Sequence, residues 1–515
     1  MITTHIRAFF ARYGLFILIA SIALFLRAYN LPTTPPGLYP DEAMNGNNAL
    51  EAIATGNYKV FYPENNGREG FFINLQAIAL NATNLNEPWV LRSVSVFFGL
   101  LTVIGVYMLT LVLLERYPYA KRVALLAMFF IATSFWHINF SRIGFRAIMA
   151  PAFMAWGLYF LIKTLGTNSQ PPTTNNLRHT LYALLGGILY GLGMHSYIAY
   201  RATPLIIIAA LFLFAWCYRA PLKKMLPYFI LYIIAAIVVF APLGWYFAKH
   251  PADFMGRTTQ VSVFDGSSPL LNLAQNTFKT VGMFFVDGDY NWRHNLSGSA
   301  QLAWPVAICF GIGIIYALFL LFRKRDKTTH TKDERTYAGI ISLVWLAVAF
   351  LPVVLSNEGI PHALRSILMI PPAMILAALG ADWVIGHAQL VLSKKALALA
   401  LVCIGISLVT HTYIMYHHAW RKNQNTQDAF AVRYVQLGRA VNELSPAIKK
   451  YIVVNTGGVD VRGIPMPSQT IMFITDSFTP EKQKQKNIIY VTSTDTIPSP
   501  TDGVVFFLEP ENNKQ

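Results

Sequence analysis

The chain has 515 residues, of which 54% are hydrophobic and only 13% are charged. A typical soluble domain carries about 25% charged residues, so this composition excludes an ordinary soluble protein and predicts an integral membrane protein. The formal net charge of +16 could indicate a nucleic-acid partner. The basic residues fall largely in short loops between apolar segments, however, as the positive-inside rule requires, so we expect a lipid bilayer as partner and no nucleic acid.

Apolar segments long enough to cross about 30 Å of hydrocarbon recur from residue 13 to residue 416. We predict an all-α polytopic membrane protein with about eleven spans of about 20 residues each. The predicted spans cover residues 13–29, 88–114, 122–138, 147–165, 180–198, 202–218, 226–247, 302–322, 337–355, 366–385 and 396–416. The first span lacks a convincing small-residue cleavage site, so we expect a retained anchor and not a signal peptide.

Basic residues mark one side of the predicted bundle. Clusters stand at residues 116–122, 219–224, 323–327 and 394–395, which fall in every second loop. Since short cytoplasmic loops are enriched in Lys and Arg, this pattern predicts a multi-pass protein of the cell membrane with a cytoplasmic N-terminus. The first loop (residues 30–88), the large loop (residues 249–301) and the chain after the last span then lie on the extracytoplasmic side.

The first loop has predicted structure of its own. Residues 41–56 and 69–83 each have the pattern of a short helix that lies along the membrane interface. The segment between them alternates aromatic residues with Asn, Glu and Arg, as expected where a polar site meets the headgroup layer. The sequence therefore predicts a site at the membrane surface, formed by the first loop and covered by the large loop.

The chain after the last span is predicted to form a small extracytoplasmic α/β domain, residues 421–515, beside a transmembrane module of residues 1–420. A helical pattern over residues 426–444 precedes four β-rich runs. The runs are residues 451–456, 470–476, 487–492 and 503–509. No nucleophile or phosphate-binding loop stands out in it, so we interpret it as a stabilising cap or acceptor-side accessory.

Acidic residues are almost absent from the predicted spans and collect in the extracytoplasmic loops. Among them are Asp41, Glu42, Glu51, Glu64, Glu69, Asp287 and Asp289. Carboxylates inside the bilayer usually mark ion pathways, so this distribution favours an interfacial enzyme over a pump. Basic residues on the same side break the positive-inside trend, namely Arg68, Arg142, Arg146, Arg201, Arg293, His294, His362 and Arg365. Because a guanidinium can bind a phosphate with two parallel hydrogen bonds, the combination suggests group transfer from a lipid phosphate.

Five segments, in this order, resemble motifs of GT-C class polytopic glycosyltransferases that use polyprenyl-phosphate sugars, especially the protein O-mannosyltransferase (family 39) and aminoarabinose-transferase-like branch. They are PDEAMNGNNALEAIATGNYKVFYPENNGREGFFINLQA from residue 40, SRIGFRAIMAP from 141, HSYIAYRATPL from 195, VDGDYNWRHNLSG from 286 and IPHALRSILMIPP from 360. The resemblance covers residues 10–420. In the second motif, aminoarabinose-type members carry an acid, whereas this chain carries Arg142 and Arg146, so the role of that acid cannot be carried over.

The resemblance implies inverting transfer of mannose or a similar hexose from polyprenyl phosphate to a hydroxyl of a protein, glycolipid or polysaccharide. It implies that Asp41 is the base or an acceptor-orienting carboxylate, with Glu42 as its neighbour in the catalytic pair. Residues implied in binding the donor phosphate or sugar are Arg68, Glu69, Arg201, Asp289, Arg293, His294, Asn295 and Arg365. A divalent cation such as Mg²⁺ or Mn²⁺ would suit clustered carboxylates, but nothing in the spacing requires one.

Structural explanations compete with these roles. Asp41 follows a proline at a predicted helix start and is a good N-cap, while Glu42 in the first turn complements the helix dipole. An exposed Glu69–Arg68 ion pair would contribute less than about 1 kcal/mol, and arginines at helix ends can snorkel to the interface. The motif around Gly288 could be a plain turn.

Two other functions stay open, a transporter or flippase of a lipid-linked sugar and an O-antigen-ligase-like enzyme that moves a whole glycan. The two halves of the chain lack matching broken helices, which weakens the transporter interpretation. Cys217, Cys309 and Cys403 lie in or at the ends of apolar spans and predict packing residues. The adjacent His417 and His418 cannot face one way on a helix, so we interpret them as structural.

Overall fold

The computed structural model describes residues 2–166, 177–254, 263, 268–326, 331–356, 359–498 and 502–510. Residues 255–262 and 264–267 of the large loop lie outside this set. Long helices dominate the first 420 residues, which confirms the predicted all-α class. In chain order they are α1 (Ile2–Ala28), α2 (Pro40–Thr55), α3 (Gly70–Thr83), α4 (Pro88–Leu113), α5 (Ala120–Ala132), α6 (Phe135–Phe140), α7 (Met149–Leu165), α8 (Leu177–Gly193), α9 (Pro204–Tyr218), α10 (Leu222–Lys249), α11 (Pro269–Gly282), α12 (Trp304–Phe322), α13 (Glu334–Val354), α14 (Ile370–Ala388) and α15 (Lys394–Ile414).

Eight helical segments of the described chain are long and apolar enough to cross a membrane. They are Pro88–Leu113, Arg146–Leu165, Ile198–Tyr218, Leu222–Lys249, Trp304–Phe322, Glu334–Val354, Ile367–Ala388 and Lys394–Trp420. The chain is therefore a multi-pass membrane protein, as predicted. The other predicted spans coincide with α1, with α8, and with α5 and α6 together, so the predicted total stays a prediction. Ser134 separates α5 from α6 and caps α6 by accepting a hydrogen bond from the His137 backbone N–H (3.3 Å).

Close helix contacts in the bundle use small residues. A methyl group added at Gly313 of α12 would clash with the carbonyl oxygen of Leu376 in α14, and one added at Gly380 would clash with that of Cys309. Small residues let helix backbones approach closely in membranes. Cys309 packs at this contact, and all three cysteines are free.

The two helices predicted in the first loop are present as α2 and α3. Pro40 occupies the first turn of α2, where its missing N–H would have no intrahelical partner in any case. The helix ends at Gly56, whose φ of 70° is left-handed, a common way for a helix to terminate. Asn84 ends α3 in the same conformation.

A short hairpin lies between these two helices and carries residues of the predicted site. Its strands are β1 (Phe61–Tyr62) and β2 (Arg68–Glu69), which pair antiparallel. The turn contains Asn65, Asn66 and Gly67, with φ values of 52°, 62° and 78°. Asn and Gly are the residues that adopt left-handed conformations most readily, so this sequence suits the turn.

The chain after residue 420 forms short helices and small sheets. The elements are α16 (Gln424–Ala429), α17 (Val432–Glu443), β3 (Lys449–Val453), β4 (Asp460–Val461), β5 (Ile464–Pro465), α18 (Gln469–Thr475), α19 (Pro480–Lys486), β6 (Ile488–Val491) and β7 (Gly503–Phe507). β3 lies between β6 and β7 and is parallel to both, with Tyr451 opposite Ile489 and Val505. Three of the four predicted β-rich runs form this sheet. The domain boundary at residue 420 stays a prediction.

The predicted strand at residues 470–476 is wrong, because α18 occupies this stretch. Every residue of α18 is buried, and a short run buried on all sides lacks the alternation that separates a strand from a helix. The Phe473 ring packs against Gly46 of α2, where an added methyl group would clash with it. The Thr470 hydroxyl also donates to the carbonyl oxygen of Leu38 (3.0 Å). The chain after residue 420 therefore packs directly on the first loop.

Candidate active site

A cavity of about 460 Å³ lies where the N-terminus of α2, the β1–β2 hairpin, the large loop and residues 359–365 meet. The predicted site residues that line it are Asp41, Arg68, Asp289, Arg293, His294 and Arg365. Other lining residues include Tyr39, Asn45, Asn65, Arg146, Tyr197 and His362. The fold thus brings together predicted residues from three separate motifs, whereas Glu42, Glu69, Arg201 and Asn295 do not line the cavity.

Asp41 is half-buried in the first turn of α2, with its carboxylate at the cavity. Its Oδ1 accepts a hydrogen bond from Nδ2 of Asn65 (2.5 Å) in the hairpin turn. The residue at the N-cap of α2 is Tyr39, whose side chain makes no capping hydrogen bond. The capping explanation for Asp41 is therefore wrong, and its carboxylate is directed to the hairpin and the cavity instead.

Tyr39 connects Asp41 to the large loop. Its hydroxyl lies close enough to Asp41 and Arg293 for both charges to act on it, and the Arg293 guanidinium lies 4.1 Å from the centroid of the Tyr39 ring. Burial, reinforced by the negative charge of Asp41, raises the pKa of Tyr39 above its ordinary value. Tyr39 therefore stays neutral at physiological pH and can donate its proton to a hydrogen bond with the carboxylate.

Arg68 is a buried cation in the cavity wall and is only 3% exposed. Its Nη1 donates to Oδ1 of Asn45 (2.8 Å) and its Nη2 donates to Oδ1 of Asn48 (2.6 Å), while its Nε is buried without a hydrogen-bond partner. Burial lowers the pKa of Arg68 to about 10, and the positive charge of Arg146 acts in the same direction. Arg68 is therefore still charged at neutral pH. The charges of Asp41 and Glu64 act in the opposite direction, but the hydrogen-bond partners of Arg68 are neutral amides, and a buried charge without an ionic hydrogen-bond partner is costly, which favours an anionic ligand here.

The large loop folds around Asp289, which is 3% exposed. One carboxylate oxygen accepts from the backbone N–H of Asn291 (2.7 Å). The other accepts from the backbone N–H of Ala363 (2.7 Å) and lies 3.0 Å from Nδ1 of His294. These bonds join the large loop to residues 359–365, so Asp289 positions the two segments against each other.

Asn295 and Gly288 close the turn of the large loop. Nδ2 of Asn295 donates to the carbonyl oxygens of Asp289 (3.1 Å) and Ser299 (2.6 Å). An added methyl group at Gly288 would clash with the Ser299 carbonyl oxygen. The structural alternative of a turn at Gly288 is thus correct, and Asn295 holds this turn instead of contacting a ligand in the cavity.

Glu69 forms ion pairs with two arginines. Its Oε2 lies 2.6 Å from Nε of Arg146, and its Oε1 lies 3.9 Å from Nη2 of Arg201. Arg201 also donates through Nη1 to the carbonyl oxygen of Phe254 (2.8 Å) and packs on the Phe254 ring. Of these charged residues only Arg146 lines the cavity. Glu69 and Arg201 are therefore placed to support Arg146. The motif resemblance instead implied direct donor binding by both residues, and neither lines this cavity.

The predicted catalytic role of Glu42 does not fit its position. Glu42 is fully buried, and it binds Arg92 through both oxygens, with Oε2 3.0 Å from Nε and Oε1 3.1 Å from Nη2. Its Oε2 also accepts from the backbone N–H of Gly144 (2.7 Å). A carboxylate that is occupied and inaccessible cannot exchange a proton with a ligand in the cavity. We correct the assignment: Glu42 is a structural residue that joins α2 to α4 and to the segment before α7.

Sequence reasoning missed Arg92, although one signal pointed to it. Arg92 is the only charged residue of its predicted span, and a charge within a span usually pairs with a partner inside the protein. The two arginines of the second motif also separate. Arg142 is buried and donates to the carbonyl oxygens of Leu26 (3.2 Å) and Thr34 (2.8 Å), whereas Arg146 reaches the cavity.

Asp289, His294 and His362 could hold a metal ion, since one ligand atom of each lies within 4.8 Å of the others. One carboxylate and two imidazoles suit Zn²⁺ better than Mg²⁺, which prefers oxygen ligands. Nδ1 of His362, however, lies 4.0 Å from the Asp289 carboxylate, farther than the roughly 3.5 Å that bonds of about 2.1 Å to one tetrahedral ion would give. The group fits a metal only if His362 moves inward.

Solved structures of low sequence identity share this fold. The chain is similar to ArnT from Cupriavidus metallidurans bound to undecaprenyl phosphate, with a TM-score of 0.57 and 15% identity, covering 96% of this chain and 90% of that one. It is also similar to the Archaeoglobus fulgidus oligosaccharyltransferase tethered with an acceptor peptide, with a TM-score of 0.55 and 15% identity, covering 91% of this chain. This chain spans 64% of that oligosaccharyltransferase's length. No family model and no curated protein sequence matches the chain.

Both similar structures are GT-C glycosyltransferases. The chain therefore has the GT-C fold, and the resemblance seen in its motifs is confirmed at the level of the fold. Identity of 15% establishes the architecture alone. The protein O-mannosyltransferase branch stays a prediction.

Proposed function

We propose that this chain is a membrane glycosyltransferase that moves a sugar from a polyprenyl-phosphate donor to an acceptor hydroxyl in the cavity. One observation carries the proposal: a carboxylate, Asp41, shares a single cavity of a GT-C fold with four guanidinium groups. These belong to Arg68, Arg146, Arg293 and Arg365. Solved structures of similar fold contain undecaprenyl phosphate in ArnT and a dolichol-phosphate in AglB of Archaeoglobus fulgidus, which supports a lipid phosphate as the anionic ligand here.

The reaction is a displacement at the anomeric carbon of the sugar. The acceptor oxygen bonds to this carbon while the bond from the carbon to the phosphate oxygen breaks, so the configuration inverts. The acceptor proton passes to the Asp41 carboxylate, and the electron pair of the broken bond leaves with the polyprenyl phosphate. A positioned base contributes about 10²–10⁴-fold, and each fixed donor opposite the developing charge contributes about 10²–10³-fold.

The surroundings of Asp41 suit this role. Asn65 donates a hydrogen bond to the carboxylate and the Tyr39 hydroxyl lies beside it, so little ordering is needed when an acceptor binds. Arg293, which stacks on the Tyr39 ring, brings positive charge close to the same point. A donor phosphate held by Arg293 would therefore lie close to the Asp41 carboxylate.

The sugar, the acceptor and the side of the membrane are proposed from the motif resemblance, the loop charges and the cavity volume. The motif resemblance supports mannose or a similar hexose as the sugar, and a protein, glycolipid or polysaccharide as the acceptor. The distribution of basic loops supports an extracytoplasmic active site. A cavity of about 460 Å³ is at the lower end of the range for small-molecule sites, which favours transfer of one sugar over transfer of a whole glycan.

The test is an assay of purified protein in liposomes with radiolabelled polyprenyl-phosphate mannose and candidate acceptors. We expect the wild type to release polyprenyl phosphate and Asp41→Asn to turn over about 10²–10⁴-fold more slowly while it still binds the lipid. Glu87→Gln, which neutralises an acid at the N-cap of α4 outside the cavity, serves as the matched control. Undiminished turnover by Asp41→Asn would exclude Asp41 as the base. Lipid movement across vesicles without release of polyprenyl phosphate would replace the transferase with a flippase.

A further inference from the structure

The hairpin formed by β4 and β5 reaches the first loop. Its two turn residues, Arg462 and Gly463, both have positive φ values, 57° and 85°. A two-residue turn of this kind favours Asn, Asp or Gly at its first position. An arginine in this strained conformation indicates that its side chain is held by specific contacts.

Arg462 contacts two carboxylates of the first loop. Its Nη1 and Nη2 donate to the two oxygens of Glu51 at 2.8 and 2.9 Å, and its Nε donates to Oε1 of Glu64 at 2.6 Å. The guanidinium also lies 4.4 Å from the centroid of the Phe478 ring. Burial acts to raise the pKa of Glu64, but the hydrogen bond and charge of Arg462, together with the Asn48 hydrogen bond and the charge of Arg68, hold this pKa below its ordinary value. Bidentate geometry makes this contact more specific than a single surface ion pair.

Glu64 links this contact to the cavity. Its Oε2 accepts a hydrogen bond from Nδ2 of Asn48 (3.2 Å), and Oδ1 of the same amide accepts from Nη2 of Arg68 (2.6 Å). The next residue in the chain, Asn65, donates to Asp41. Arg462 lies outside the cavity, yet its partner Glu64 is connected to both a cation and the carboxylate of the site.

The orientation of the Asn48 amide connects Glu64 to Arg68. Its NH₂ group faces the Glu64 carboxylate and its oxygen faces the Arg68 guanidinium. A reversed amide would present an NH₂ donor to a guanidinium that has only donors, and Arg68 would lose this hydrogen bond. A fixed Glu64 therefore selects the amide orientation that holds Arg68 in the cavity wall.

We propose that Arg462 is a positioning residue for the donor phosphate site, acting through Glu64 and Asn48 on Arg68. The inference rests on the proposed function, because that function makes Arg68 a ligand of the donor phosphate. It gives the chain after residue 420 a part in the reaction, although no described residue of that segment lines the cavity. The alternative is that the Arg462 contacts only dock this segment on the first loop.

A second ion pair across the same junction provides a matched control. Nη2 of Arg439 in α17 lies 3.3 Å from Oε2 of Glu87 at the N-cap of α4. This pair also joins the chain after residue 420 to the transmembrane module, but neither residue lines the cavity. Arg439→Gln therefore removes a docking contact without disturbing Asn48 or Arg68.

The experiment compares Arg462→Gln, Arg462→Lys and Arg439→Gln in the full-length protein, with steady-state kinetics for polyprenyl-phosphate mannose and the acceptor. We expect Arg462→Gln to raise the donor KM about 3- to 30-fold, with a smaller change in kcat and an unchanged acceptor KM. Arg462→Lys keeps the charge but not the bidentate geometry, so its donor KM is expected to lie between those of the wild type and Arg462→Gln. It also replaces the glutamine variant if that variant does not fold. Arg439→Gln is expected to stay within about twofold of the wild type.

A double-mutant cycle strengthens the comparison. Once Arg462 is neutralised, Glu64→Gln is expected to add little further increase in donor KM, because coupled residues are not additive. An unchanged donor KM in Arg462→Gln, or equal effects of Arg462→Gln and Arg439→Gln, would overturn the inference and leave the proposed function standing. A wild type that neither transfers sugar nor binds polyprenyl phosphate would overturn both.

Discussion

Asp41 and Glu42 are adjacent, and we expect their amide variants to fail in different ways. Glu42 and Arg92 have no exposed side-chain surface, and Glu42 accepts hydrogen bonds from Arg92 and from the backbone of Gly144. In Glu42→Gln one carboxylate oxygen becomes an NH₂ group that cannot accept from Arg92, which stays buried without a counter-charge. Removing one partner of a buried ion pair costs about 3–5 kcal/mol, so this variant is expected to be strongly destabilised.

Asp41→Asn has a smaller structural cost. Asp41 is half-buried, and the amide keeps an oxygen that can still accept from Asn65, so we expect a loss of about 0.5–1.5 kcal/mol at most. Its turnover is expected to fall about 10²–10⁴-fold, because an amide cannot accept the acceptor proton. The two neighbouring substitutions therefore separate stability from catalysis.

Thermal unfolding in detergent and turnover are measured on the same preparations. We expect a clearly lower unfolding midpoint for Glu42→Gln and a midpoint near that of the wild type for Asp41→Asn. The double variant Glu42→Gln/Arg92→Met, which removes both charges, is expected to recover part of the stability. If Glu42→Gln has the same unfolding midpoint as the wild type but loses turnover, the structural assignment of Glu42 is refuted.

Three further outcomes are expected. Gly288→Ala is expected to lower turnover, because the added methyl group clashes with backbone and shifts the large loop; Gly282→Ala, with open space around it, is its control, and equal turnover of the two variants would contradict the role of the turn. Arg68→Gln is expected to weaken polyprenyl-phosphate binding about 10- to 100-fold, from a charged hydrogen bond of about 1.5–3 kcal/mol, and unchanged binding would exclude Arg68 as the phosphate ligand. The pKa of Glu64 lies below its ordinary value of 4.5, so the Arg462 contact is fully present above that pH and is lost as the pH falls through the lowered pKa. The donor KM should therefore rise below about pH 4.5 in the wild type and change less in Glu64→Gln; the same pH dependence in both would point to another group.

Local patterns were enough to predict most of the helices. Long apolar runs are specified by composition and the thickness of a bilayer, and the first helix of the first loop, α2, lies between Pro40 at one end and Gly56 at the other. The failure at α18 has an equally local cause. Its run of buried residues shows neither the helical period of about 3.6 residues nor the strand period of two. Its conformation depends on packing against Gly46 of α2, which is distant in sequence.

The site was harder to predict because the partners of its charged residues are remote. Asp41 and Glu42 have the same neighbours in sequence, and either could have been the carboxylate at the cavity. The Glu42 carboxylate is held away from the cavity by hydrogen bonds from Arg92, 50 residues away, and from Gly144, 102 residues away. No pattern within the first loop contains that information.

The charge of Arg92 in a predicted span was one further indication of the role of Glu42. A lone charge in an apolar span usually pairs inside the protein with another charged residue or with backbone carbonyls, so Arg92 predicted a buried partner and made a nearby carboxylate one candidate for it. The acids of the first loop were the candidates nearest in the chain, and one of the two adjacent carboxylates had to be considered for that structural role. A catalytic pair of Asp41 and Glu42 leaves the charge of Arg92 without a partner. When Glu42 is assigned to Arg92, Asp41 is the one of the two adjacent carboxylates that faces the cavity.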